Sequence, residues 1–105
     1  MESRHIYDVF IAPQADIKLS THMEFLARVS EHAAVRLYNE FAEALDFLRE
    51  NPKACPLYIP NSPLDMELHY KIFSKRYRIV FEISDNAVYV YDVQDCRQND
   101  DIYLE

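Results

Sequence analysis

Arg97 and Tyr103 stand out in the closing stretch VYVYDVQDCRQNDDIYLE, Val88 to Glu105. One is an arginine just beyond a strand-like run, the other a tyrosine a little further on. Both types suit a phosphate-bearing substrate. A guanidinium is a planar, permanently charged fork that matches two phosphate oxygens. A phenol can exchange a proton or stack on a base. The other concentration of positive charge is Lys71, Lys75, Arg76 and Arg78, which fall within eight residues, and the segment after Arg78 is mostly acidic. Whether Lys71, Arg78, Arg97 and Tyr103 can meet depends on the elements that carry them.

Those elements read clearly along most of the chain. HIYDVFIA (His5–Ala12) alternates loosely, is rich in β-branched and aromatic residues, and stops at Pro13, as a strand does. From Ala15 the period changes: Leu19, Met23, Leu26 and Val29 recur at helical spacing. Ser30 interrupts that stripe and suits an N-cap, with Glu31 in the first turn that follows. Ala34, Leu37, Phe41, Ala44, Leu45 and Leu48 then define a second helix, which Glu50–Pro52 ends. Two helices with almost no linker form a hairpin.

KACPLYIPNSPLDME, rich in proline and without a period, reads as a loop. LHYKIF (Leu68–Phe73), RYRIVFEI (Arg76–Ile83) and AVYVYDV (Ala87–Val93) read as three strands. In the second, Tyr77, Ile79, Phe81 and Ile83 share one face, with Arg76, Arg78 and Glu82 on the other. The polar turn Ser84-Asp85-Asn86 requires a positive φ that Asp85 or Asn86 must supply, because the chain has no glycine. The order predicts an α+β fold: an N-terminal strand, a helical hairpin and a three-stranded antiparallel C-terminal sheet, in one domain over residues 1–105. The helices would cover one sheet face, leaving Lys71 and Arg78 to point from the other, with Arg97 closing on the same place.

Composition narrows the function. A formal net charge of −7 argues against general affinity for nucleic acid, which rests on Lys and Arg. Cys55 and Cys96 are far apart, neither lies in a CxxC, and no His or Cys stands at zinc-ligand spacing from them. No metal and no cofactor is expected, and both cysteines are expected to be reduced. The apolar runs are too short to span a bilayer and the N-terminus carries no secretory pattern, so the expectation is a cytoplasmic protein with no membrane partner.

The sequence resembles the RelE/ParE superfamily of bacterial toxins from type II toxin–antitoxin modules, which includes plasmid-stabilisation proteins. The resemblance rests on APQAD at Ala12–Asp16, a helix pair ending in FLRENP, and KRYRIVFEISDNAVYVYDVQDCRQ, and covers nearly the whole chain. It implies a small curved sheet carrying a helical hairpin, and a cognate antitoxin as partner, in a homodimer or a toxin–antitoxin hetero-oligomer. RelE-like members are ribosome-dependent mRNA endonucleases (mRNA interferases), whereas ParE-like members poison DNA gyrase without that chemistry.

For the nuclease branch the resemblance implies catalytic roles for Arg78, Arg97, Lys71 and Tyr103. Phe73 stands where a second lysine is expected. Metal-independent cleavage needs an in-line attack by a 2′-hydroxyl, a base, a proton for the leaving oxygen, and cations on the pentacoordinate phosphate. Arg78 suits the phosphate. Lys71 or Tyr103 could be the base, and Arg97 or a water could serve the leaving group. Each residue also has a plainer reading: Arg78 could pair with Glu82 or with a carboxylate across the sheet, and Arg97 with a neighbouring aspartate. Against ribosome docking stands the acidic net charge, which leaves gyrase poisoning, or a toxin that only binds its antitoxin, as alternatives.

Overall fold

Pro13 sets the first boundary. Its missing N–H is one that the first turn of a helix leaves unpaired anyway, so the strand before it ends and α1 (Pro13–Ala27) begins there. The computed structural model describes residues 5–58 and 67–97, so Tyr103 lies outside the described residues. β1 is Asp8–Ile11, shorter than His5–Ala12, because only those four residues pair with another strand. The Tyr7 N–H instead reaches the carbonyl of Arg49 at 2.7 Å.

α2 runs from Glu31 to Glu50. The Ser30 hydroxyl accepts the Ala33 N–H at 3.2 Å, the expected N-cap. Ala34, Leu37, Phe41, Ala44 and Leu48 are buried, and Leu45 packs against the same core. On α1, Leu19 is buried and Met23 and Leu26 are partly so. Val29 does not continue the stripe. It lies past the helix end and is 85 % exposed, because the chain turns there, with both the Val29 and Ser30 N–H groups on the Leu26 carbonyl.

The proline-rich segment is less irregular than its composition suggests. It holds a 3-10 turn at Pro52–Ala54 and a two-residue strand, β2 (Leu57–Tyr58). β3 (Leu68–Phe73), β4 (Tyr77–Ser84) and β5 (Ala87–Asp95) follow and pair antiparallel as expected. The sheet is not limited to them. It has five strands in the order β1-β5-β4-β3-β2, with β1 parallel to β5, and is therefore mixed. The helical hairpin is the crossover that makes the parallel pair feasible.

Alternation along the strands decides what each face carries. Tyr77, Ile79 and Phe81 of β4 and Val88, Val90 and Val93 of β5 join the helices in one core. The β4–β5 register slips between Val80 and Phe81, so that Tyr91 has no partner opposite it. This bulge shifts the alternation of β5, letting both Val90 and Val93 face the helices. The opposite face carries a smaller cluster of Tyr58, Leu68 and Val80, with Tyr70 and Tyr91 against it.

Asp85 takes the positive φ of the β4–β5 turn, at 54°. Ser74 and Lys75 also have positive φ, 50° and 70°, in the β3–β4 turn. For residues with a Cβ that conformation costs about 1–2 kcal/mol each. Cys55 and Cys96 are free. Among the described residues no helix is long and apolar enough to cross a membrane.

Candidate functional site

The expected site required Lys71, Arg78 and Arg97 to converge. Lys71 and Arg78 sit on adjacent strands but on opposite faces. Lys71 pairs in register with Ile79, whose side chain lies in the helix-side core, whereas Arg78 pairs with Ile72. The Lys71 ammonium rests over the Phe47 ring of α2, 4.2 Å from its centroid, a cation–π contact under the helices. The expectation that Lys71 points from the uncovered face is therefore corrected. The reason is that β3 turns its more polar parity, His69 and Lys71, toward α2, and Leu68, Tyr70 and Ile72 the other way. His69 fits there because Nδ1 donates to the Cys55 carbonyl at 3.0 Å and its ring stacks on Phe81.

Arg78 is on the uncovered face, as expected, but among the described residues it meets neither Glu82 nor another carboxylate. Its Nε donates to the Gln94 amide oxygen at 2.6 Å, and its guanidinium lies over the Tyr58 ring at 5.1 Å. The Tyr58 hydroxyl donates to the same oxygen at 3.3 Å. Gln94 is fully buried, and its Nε2 donates to Asp92 at 3.1 Å. That pattern fixes the orientation of the amide, since two donors demand the oxygen and a carboxylate demands the nitrogen. Asp92 also takes the Lys18 ammonium of α1 at 3.0 Å. One network thus runs from β2 and β4 through β5 to α1. Glu82, on the same face as Arg78, accepts the Tyr91 hydroxyl at 2.9 Å. Burial, followed by this contact and the Glu82 charge, raises the Tyr91 pKa.

Arg97 answers to the neighbouring residue on the other parity of β5. Its Nε and Nη2 bond both oxygens of Asp95 at 3.1 and 2.7 Å, and its backbone N–H adds a third bond at 2.9 Å. Asp95 is buried, and the Arg97 guanidinium holds its carboxyl below the usual carboxylate range despite that burial. The pair borders a cleft of about 460 Å³ whose other walls are Lys18, Thr21, His22, Phe25 and Tyr77. His22 lies edge-on to Tyr77 and its Nε2 donates to the Val93 carbonyl at 3.1 Å. β1 stops pairing at Val90, so α1 covers the edge of β5 that this leaves open.

Three cations expected at one point thus occupy three environments: Lys71 on an aromatic ring, Arg78 on an amide, and Arg97 on a carboxylate. Gln94, Lys18 and His22 were missed by sequence reasoning. A glutamine between Val93 and Asp95 carries no signal of burial. Lys18 and His22 do stand one helical turn apart, the spacing of two side chains on one face. Among the described residues no group of three or more His, Cys, Asp or Glu side chains is placed to hold a metal ion.

Comparison with known proteins bears on these features. Residues 9–100 match the family profile described as the ParE toxin of the type II toxin-antitoxin system, parDE. No curated protein sequence matches the chain. Among solved structures, a chain of the chromosomal ParDE TA system from P. aeruginosa is similar in fold, with a TM-score of 0.68 and 10 % identity. The alignment covers 87 % of this chain and 97 % of that one.

Proposed function

The chain belongs to the ParE toxin family of type II toxin–antitoxin systems, and from that premise we propose that it is a toxin that acts by binding a protein target, DNA gyrase, and not by cutting RNA. A cognate antitoxin is its partner on this reading, which the ParDE TA system containing a chain of similar fold supports. The observation that carries the proposal is the separation of Lys71 and Arg78 onto opposite faces of the sheet. Metal-independent cleavage needs cations preorganised around one phosphate, because the charge they stabilise develops at a single phosphorus centre. Here Arg97 is bound to a buried carboxylate, Arg78 to an amide, and Lys71 to a ring. A net charge of −7 adds a field that opposes docking on ribosomal RNA.

The test is induction of the chain without its antitoxin. Trapped gyrase–DNA complexes and an SOS response beside intact mRNA are expected. Arg78→Ala is expected to leave that effect in place, apart from what it costs the fold. Ribosome-dependent cuts in mRNA that disappear in Arg78→Ala would sink the proposal and return Arg78, Arg97, Lys71 and Tyr103 to the catalytic roles that the nuclease branch implies.

A further inference from the structure

A second cleft, of about 260 Å³, lies where α2 meets the β3–β4 turn. Its charged walls are Arg36, Glu40, Lys75 and Arg76, and its apolar walls include Leu26 and Tyr77. Three cations face a single carboxylate. That carboxylate is already engaged, because Glu40 accepts the Ser74 hydroxyl at 2.6 Å. Arg36, Lys75 and Arg76 are exposed, and among the described residues none of their side chains has an ion-pair or hydrogen-bond partner. The cleft beside Arg97 is the opposite case, since there Asp92 and Asp95 neutralise Lys18 and Arg97.

Three cations around one carboxylate leave the cleft net positive, and the arrangement gains when a further anion enters. Two guanidiniums on different elements offer forked donors that fit a carboxylate in two bonds. The cleft is not purely polar. Leu26 forms part of its wall, and Val29, whose N–H bonds the Leu26 carbonyl, is 85 % exposed on the adjoining turn. A free inorganic anion would use only the cations. A carboxylate followed by an apolar side chain would use both.

We propose that this cleft binds an acidic peptide segment of a protein partner, with a carboxylate between Arg36 and Arg76 and an adjoining apolar side chain against Leu26 and Val29. The cleft, with Tyr77 in its wall, lies on the helix side of the sheet, opposite the Arg78–Gln94 network. The test is an NMR titration of the purified chain with acetyl-Glu-Leu-Glu-Leu-amide and, separately, with sodium phosphate. The peptide is expected to shift the amide signals of Ala33, Arg36, Lys75 and Arg76 saturably, and phosphate at equal concentration to shift them far less. In the double variant Arg36→Ala, Arg76→Ala the affinity is expected to fall about tenfold or more, since hydrogen bonds to charged groups are lost. Lys18→Ala, in the other cleft, is expected to bind as the parent does. Both altered arginines are exposed, so the fold should survive, which an unchanged amide spectrum elsewhere checks. Absence of shifts, shifts that persist in the double variant, or phosphate binding as tightly as the peptide would each overturn the proposal.

Discussion

The two faces of the sheet bury side chains by different means. Under the helices, Ile79, Phe81, Val88, Val90 and Val93 meet Leu37, Phe41 and Leu48 in a core held by apolar contact. On the other face Val80 and Leu68 are as inaccessible, yet what packs around them is Tyr58, Tyr70 and Tyr91, rimmed by the Arg78–Gln94 bond. One face relies on area removed from water, the other on aromatic rings, of which Tyr58 and Tyr91 keep their hydroxyls hydrogen-bonded. The difference teaches that charge is a poor guide to face. A lysine lies beneath the helices, and a fully buried valine lies on the opposite face.

The largest effect should come from the helix side. Phe81→Ala is expected to cost about 3–5 kcal/mol in urea unfolding, the usual range for emptying a buried aromatic site. Leu68→Ala removes a buried leucine from the smaller cluster, and about 2 kcal/mol is expected because the surrounding tyrosines can close on the gap. Equal costs for the two would erase the distinction and make the second face a core in its own right. Gln94→Leu then probes the rim. It leaves the Arg78 and Tyr58 donors without their shared acceptor, for an expected loss of about 1–2 kcal/mol. A neutral result would mean that the rings alone hold this face together.

The smallest effect should be that of Arg97→Ala, which removes a half-exposed guanidinium, and its signature is that it fades in acid. Asp95 has a lower pKa folded than unfolded, so the pair's contribution is complete above the ordinary aspartate value of about 4 and is lost as the pH falls through the lowered one. Without Arg97 the main cause of that lowering is gone, so urea unfolding followed by circular dichroism should show the full stability gap to the parent near neutral pH, and the gap should close as the pH falls through the lowered value. A gap that does not change with pH would show that the Asp95–Arg97 contact contributes nothing to stability.

The helices were legible because their signals are local: a period near 3.6, a serine cap, and prolines at both boundaries. The faces of β4 were legible for the same reason, since Tyr77, Ile79 and Phe81 alternate without interruption. The parallel partner of β1 was not, because nothing in Asp8–Ile11 says which distant strand it will join. The site failed on β3. In LHYKIF the apolar parity, Leu68, Tyr70 and Ile72, looks like the buried one, and a lysine on the alternate parity looks exposed. The stack of His69 on Phe81 and the rest of Lys71 on Phe47 reverse that assignment. Both depend on tertiary partners that a strand's own sequence does not contain. Gln94 and the bulge at Tyr91 were hidden for the same reason.

The pairing of β1 with β5 also sets a clock. Asp8 finds its partner only in Ala87, so β1 must wait until the helices and the strands between it and β5 have been made. At about 5–20 residues per second, several seconds separate the synthesis of β1 from that of its partner strand. The closure spans a long loop, whose entropic cost slows it further. Both helices are therefore made before the sheet can close, and a partner that engages the emerging helices has the first opportunity to act.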